Sequence, residues 1–196
     1  MRYIAKTEAP KSLERWKTSN KTKTYSDLGK EQPEIKSQLK QQLIEEQKYI
    51  CCYCEREVDV DISHIEHFEP QSIVPKRQLD YTNMLISCCD TVTCGHIKKS
   101  VLDPKLISPT EVDSLSHFAF GVEGSIIGTD ERGEFTINTL NLNSETLKQQ
   151  RKTLIDTFVE CTRGGYDYIA DYLTEDNGRY NKFFTTAEYL HNNGTI

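Results

Sequence analysis

Residues 51–72, CCYCEREVDVDISHIEHFEPQS, gather three cysteines, two histidines and a run of carboxylates into one short span. Cys51 and Cys54 form a C-x-x-C pair, a tight turn that aims two thiolates at one ion. A tetrahedral zinc site needs a second pair, and Cys88 or Cys89 together with Cys94 can supply it. Cysteines also serve as small buried hydrophobes, but a C-x-x-C followed by a second cysteine cluster favours zinc. Four thiolates leave no open position for substrate, so such a site holds the fold and does not react. Cys161 stands alone on a helical segment and reads as core.

Between and after the cysteine pairs lie HIEHFEP, DYTNM and CGHIKK. Metal-assisted phosphodiester hydrolysis needs a divalent cation at the scissile phosphate, a base to deprotonate water, and a group that orients the base. These segments offer carboxylate and imidazole ligands, a spare imidazole and an amide. The chemistry is therefore available within about fifty residues, given elements that bring it together.

The chain has 196 residues, 36% hydrophobic and 28% charged, which fits a soluble globular protein with one well-buried core. No run approaches the roughly 20 apolar residues that span a bilayer, so no membrane partner is expected. The opening MRYIAKTEAPKSLERWK has no apolar segment of the secretory type. Six of the seven cysteines fall between Cys51 and Cys94, clustering that suits metal binding in a cytoplasmic protein better than disulfide stapling. The formal charge of −6 is uneven: residues 1–50 hold 11 Lys/Arg against 7 Asp/Glu, and the other 146 hold 13 against 23. A basic leading arm can touch phosphates, whereas an acidic body argues against coating nucleic acid unaided.

The polar stretch KSLERWKTSNKTKTYSDLGKEQP predicts an irregular arm with at most one short helix. Pro33 then opens a helix whose inner face is Ile35, Leu39, Leu43 and Ile44. Val58, Val60 and Ile62 alternate with Asp59 and Asp61, the period of a strand. GHIKKSVL predicts a helix, HFAFGVEGSIIG a hairpin around Gly121 and Gly124, and Asn143-Ser144 the cap of a long helix that Gly164-Gly165 ends. Two further short helices are expected around YDYIADYL and NKFFTTAEYLH. No internal repeat is present.

These residues carry a resemblance. Glu66-His67-Phe68-Glu69-Pro70-Gln71-Ser72, Asn83-Met84-Leu85-Ile86-Ser87-Cys88 and Cys94-Gly95-His96, preceded by Cys51-x-x-Cys54, resemble the motifs of HNH endonucleases with a zinc-stapled ββα-metal centre. In the last motif His96 falls one position later than the usual ligand, and six positions separate Cys88 from Cys94 where the family has three. The phrases MRYI, PKSLERW, HIEHFEP, LDYTNMLISC, CGHIKK and INTLNLN, with Arg151, resemble the PtuB nuclease subunits of Septu-type and retron-associated anti-phage systems.

The resemblance implies an α+β, predominantly helical fold in which a ββα-metal (HNH) centre with a cysteine zinc knuckle is flanked by N- and C-terminal helices. Its divisions are a basic arm and helix over 1–49, the nuclease core with its zinc site over 50–105, and a hairpin with C-terminal helices over 106–196. It selects Cys51, Cys54, Cys88 and Cys94 for structural Zn2+ and makes His67 the general base. Asn83 would orient that base, and Glu66 and His96 would hold a catalytic Mg2+ or another divalent ion. Lys98 or Lys99 would meet a backbone phosphate, and His64, on the strand face of Glu66, is a further candidate ligand. The implied function is metal-dependent cleavage of nucleic acid, DNA ahead of RNA, in a defence complex. The implied partners are a PtuA-like ATPase and, in retrons, the RNA–DNA or reverse transcriptase. The rival reading is a non-catalytic zinc module that binds nucleic acid or protein. Glu66, His67, Asn83 and His96 discriminate, because a zinc ribbon has no use for them.

Overall fold

The computed structural model describes residues 1–195. The leading segment is helical, contrary to the irregular arm expected: α1 spans Lys11–Ser19 and α2 spans Tyr25–Glu31. Leu13 and Trp16 of α1 and Leu28 of α2 are buried, three apolar anchors in an otherwise polar stretch. Thr24 caps α2 through a capping box with Asp27, so local hydrogen bonds fix its start. Helix α3, Pro33–Glu46, begins at the expected proline and buries Leu39, Leu43 and Ile44. Gln47 ends it and is itself buried: its amide donates to the Ile50 and Ile86 carbonyls and its oxygen accepts from Ile86 N. One side chain thus completes the backbone pairing that this part of the sheet would otherwise lack.

The strand expected over Val58–Ile62 does not form. Asp59 Oδ1 accepts from the amides of Asp61 and Ile62, a local turn that outcompetes the ladder and leaves Val60 and Ile62 exposed. Extended structure begins one residue later as β1, Ser63–His67, which pairs antiparallel with β2, Met84–Cys88. The register sets His64 opposite Ser87, Glu66 opposite Leu85 and His67 opposite Met84. All five residues of β2 are buried. The short α4, Cys94–Lys98, packs against β2.

The expected hairpin is present as β3, Phe118–Phe120, and β4, Ile126–Gly128. A helix not foreseen, α5 (Glu131–Leu140), follows it, capped by Asp130. Ser144 caps α6, Glu145–Arg163, and the short α7 (Tyr168–Tyr172) and α8 (Phe184–Asn192) complete the chain. Arg151 of α6 is 1% exposed and gives its guanidinium to the carbonyls of Gly124 and Leu142, tying the hairpin loop to α6. One buried cluster takes in Trp16 of α1, Leu39 of α3, Met84 of β2, Phe158 of α6 and Ala187 of α8. Among the described residues no helix is long and apolar enough to cross a membrane.

Candidate functional site

Cys51 and Cys54 lie in the turn after α3, Cys88 closes β2 and Cys94 opens α4. All four are buried, with sulfur atoms within 4.8 Å of one another. Cys54 Sγ is 3.8 Å from Cys88 Sγ, and Cys51 Sγ is 3.9 Å from Cys94 Sγ. Four sulfurs bonded at about 2.3 Å to a central tetrahedral ion stand about 3.8 Å apart. Donor type and spacing therefore fit zinc. The left-handed backbone of Glu55 (φ 59°) turns the chain back so that Cys51 N donates to Arg56 O. Arg56 then sets Nη2 3.4 Å from Cys88 Sγ and 2.8 Å from Asp90 Oδ2, placing positive charge where thiolates would gather negative charge.

His67 is the last residue of β1 and is buried. Its Nε2 is 2.9 Å from the Gln78 carbonyl oxygen, which can only accept, so Nε2 carries the proton and Nδ1 the lone pair. The Gln71 amide donates to Nδ1 at 3.0 Å. Tyr25 of α2 packs edge-on against the imidazole, with centroids 4.7 Å apart. Burial lowers the His67 pKa below the ordinary imidazole value, outweighing the Gln78 carbonyl, so the ring is neutral near pH 7.

Asn83 makes no hydrogen bond to that ring among the described residues. Its Oδ1 accepts from Glu69 N at 2.8 Å, and its Nδ2 donates to the carbonyls of Glu69 and Arg77. It braces both ends of the loop between the strands, the loop that carries Gln71 and leads into Gln78.

Glu66 presents two oxygens to different partners. Oε1 accepts from Lys98 Nζ at 2.9 Å and from Tyr53 OH at 3.2 Å, and Oε2 is 3.4 Å from His64 Nε2. Burial opposes ionisation, but hydrogen bonds from His64 and Lys98 outweigh it and hold the carboxyl below its usual pKa. Lys98 corrects the sequence expectation. It is fully buried and spends its ammonium on Glu66 and on the His67 carbonyl, so of the two lysines only Lys99 is exposed to meet a phosphate. His96 sits at the surface with its ring 4.8 Å from that of His64. Glu66 and His96 share no hydrogen bond or ion pair among the described residues, and His64 is in contact with both. Gly95 makes this approach possible: a Cβ there would lie 2.6 Å from Glu66 Oε2 and 2.8 Å from His64 Nε2.

No family model matches the chain. Over 64% of its length it is 32% identical to the protein of Vibrio cholerae serotype O1 biovar El Tor named as a candidate HNH endonuclease of retron Vc95, and the match covers 67% of that protein. The chain belongs to the HNH endonucleases. A second relative, named as a candidate HNH endonuclease of retron Ec83 from Escherichia coli, is 25% identical across 95% of this chain and 92% of its own. The Septu protein PtuB of Bacillus thuringiensis is 31% identical across 55% of the chain, a match spanning 42% of PtuB's own length.

In this HNH endonuclease several residues at the site escaped sequence reasoning. Tyr25 packs on His67 from the polar leading segment, where the Thr24-x-x-Asp27 capping pattern is the local sign of a helix. Gln71 and the Gln78 carbonyl hold the imidazole from a loop with no secondary-structure signal. Cys89 is exposed and groups with His64 and His96, not with the buried cysteines.

Proposed function

We propose that this HNH endonuclease hydrolyses phosphodiester bonds of nucleic acid, DNA first and RNA second, by a metal-assisted reaction. The observation that carries the reading is His67: a neutral imidazole, anchored at Nε2 by a backbone carbonyl, with basic Nδ1 capped, among the described residues, by the side-chain amide of Gln71. Next to it in sequence stands a buried carboxylate with the His64 imidazole beside it and the His96 ring against that of His64. When the Gln71 amide swings aside, Nδ1 accepts the proton of an attacking water, a contribution of roughly 100- to 10,000-fold for a positioned base. A Mg2+ ion held by Glu66 and His96, with His64 beside them, would neutralise charge on the scissile phosphate. Asn83 keeps the loop, and hence the Gln78 carbonyl, in register with the imidazole. Lys99 supplies a phosphate contact from the end of α4.

On this reading β1, β2 and α4 form a ββα-metal centre within residues 50–105. The four-cysteine cluster holds structural Zn2+, and residues 1–49 and 106–196 form the flanking layers. The retron and Septu relatives support a role as the effector of an anti-phage defence complex. Its proposed partner is a PtuA-like ATPase, with retron RNA–DNA or reverse transcriptase in the retron setting. The test incubates zinc-loaded protein, with its ATPase partner, on labelled DNA and RNA panels with and without Mg2+. Mg2+-dependent internal cleavage is expected. Absence of cleavage of every substrate at every divalent cation would leave a zinc-bearing interaction module.

A further inference from the structure

Cys88 ends β2 and Cys89 follows it directly, and the structure sends the two to different places. Cys88 turns into the buried four-sulfur cluster, whereas Cys89 continues the ladder by donating its amide to Ile62 O and presents its thiol on the exposed side. Helix α4 divides its residues in the same way. Cys94 faces the cluster, and His96, two residues on, emerges on the side of Cys89. His64, opposite Ser87 in the β1–β2 ladder, completes this second group. One ligand atom each from His64, Cys89 and His96 lies within 4.8 Å of the others. Beside this group, His64 Nδ1 is buried without a hydrogen-bond partner among the described residues.

We propose that His64, Cys89 and His96 form a second metal site, distinct from the four-cysteine cluster, that takes a thiophilic divalent cation such as Zn2+ or Co2+. Bonds of about 2.0–2.1 Å to nitrogen and 2.3 Å to sulfur require ligand atoms about 3.3–3.6 Å apart. Cys89 and His96 are exposed, so their side chains can turn inward by the small distance needed without disturbing the core. Glu66 Oε2, 3.4 Å from His64 Nε2, borders the site. Binding releases the Cys89 thiol proton to solvent and leaves a thiolate–metal bond. A thiolate with two imidazoles suits Zn2+ or Co2+ and not Mg2+, which prefers oxygen ligands.

The consequence for catalysis rests on the nuclease reading above. His64 and His96 then serve two ions, and a thiophilic ion held by Cys89 excludes the catalytic one. Excess Zn2+ should therefore inhibit cleavage, and Cys89→Ser should relieve the inhibition while leaving Mg2+-supported activity unchanged.

The test adds Co2+ to protein whose four-cysteine cluster is already filled with zinc. Wild type is expected to bind one further ion with a thiolate-to-cobalt charge-transfer band. Cys89→Ser should lose the band and weaken binding by more than the roughly 10- to 100-fold that losing a group hydrogen-bonded to a ligand costs, while Cys161→Ser should retain both. No further ion in wild type, or an unchanged band in Cys89→Ser, overturns the site. A Cys89-dependent band with zinc inhibition that ignores Cys89 upholds the site and counts instead against placing the catalytic cation at His64 and His96.

Discussion

Lys98 Nζ lies 2.9 Å from Glu66 Oε1, with the lysine side chain fully buried and the carboxylate nearly so. The pair joins α4 to β1 beneath the site, and the same ammonium reaches the His67 carbonyl at 3.3 Å. Removing one member of a buried pair leaves an uncompensated charge, which costs about 3–5 kcal/mol. Lys98→Ala should therefore lower the urea midpoint strongly, whereas Lys99→Ala, at an exposed position, should leave it unchanged. Equal midpoints for the two variants would remove the structural role given to Lys98.

The cysteine cluster predicts a division of labour among the thiols. Cys54→Ser should lose the bound zinc and much of the soluble yield, because ion binding in comparable sites contributes of order 10 kcal/mol to folding. Cys161→Ser, on α6 and away from the cluster, should keep one equivalent of structural zinc. Elemental analysis of the soluble fractions decides this, and zinc-free, folded, active wild type would contradict it.

The acid limb of cleavage follows from the burial of His67. Only the neutral imidazole can take a proton at Nδ1, so activity is present above the folded-state pKa and lost as pH falls through it. Burial moves that pKa below the ordinary value of about 6.5. The acid limb of the kcat/KM profile should therefore lie below pH 6.5. A limb above that value, shifted by substitutions around His67, would argue that the ring is not desolvated in the working enzyme.

How much of this was legible in the sequence depended on the range of the interaction. Local signals read well: the C-x-x-C turn, Pro33 at the start of α3, Ser144 at the cap of α6, and the hairpin around Gly121 and Gly124. The alternation at Val58, Val60 and Ile62 misled because Asp59 captures the amides that a strand would have used. Helices α1 and α2 were hidden because Leu13, Trp16 and Leu28 are too sparse to reveal a period. Tyr25 against His67 and the burial of Lys98 are tertiary facts, linking residues 42 and 32 positions apart in the chain, and no local pattern encodes them.

The surface around the site predicts dependence on a partner. Of the basic residues in the central segment, Arg56 is held by Asp90, Arg77 by Glu69 and Asp80, and Lys98 by Glu66. Lys76 and Lys99 are exposed and make no ion pair among the described residues. Each phosphate contact normally uses a lysine or arginine, so the chain alone should bind nucleic acid weakly. Titrating the proposed ATPase partner against fixed nuclease at constant Mg2+ should raise the cleavage rate. Equal rates for the lone chain and the complex would remove the dependence and leave the nuclease itself intact.

The most direct measurement compares wild type with His67→Ala on one labelled substrate, at fixed Mg2+, with the proposed ATPase partner present and with zinc content matched. The imidazole is buried at the end of β1, so the comparison uses His67→Ala protein whose circular dichroism and zinc content match wild type. Its cleavage rate should fall roughly 100- to 10,000-fold, the contribution of a positioned general base. A folded, zinc-matched His67→Ala protein that cuts at the wild-type rate would contradict the account at its centre.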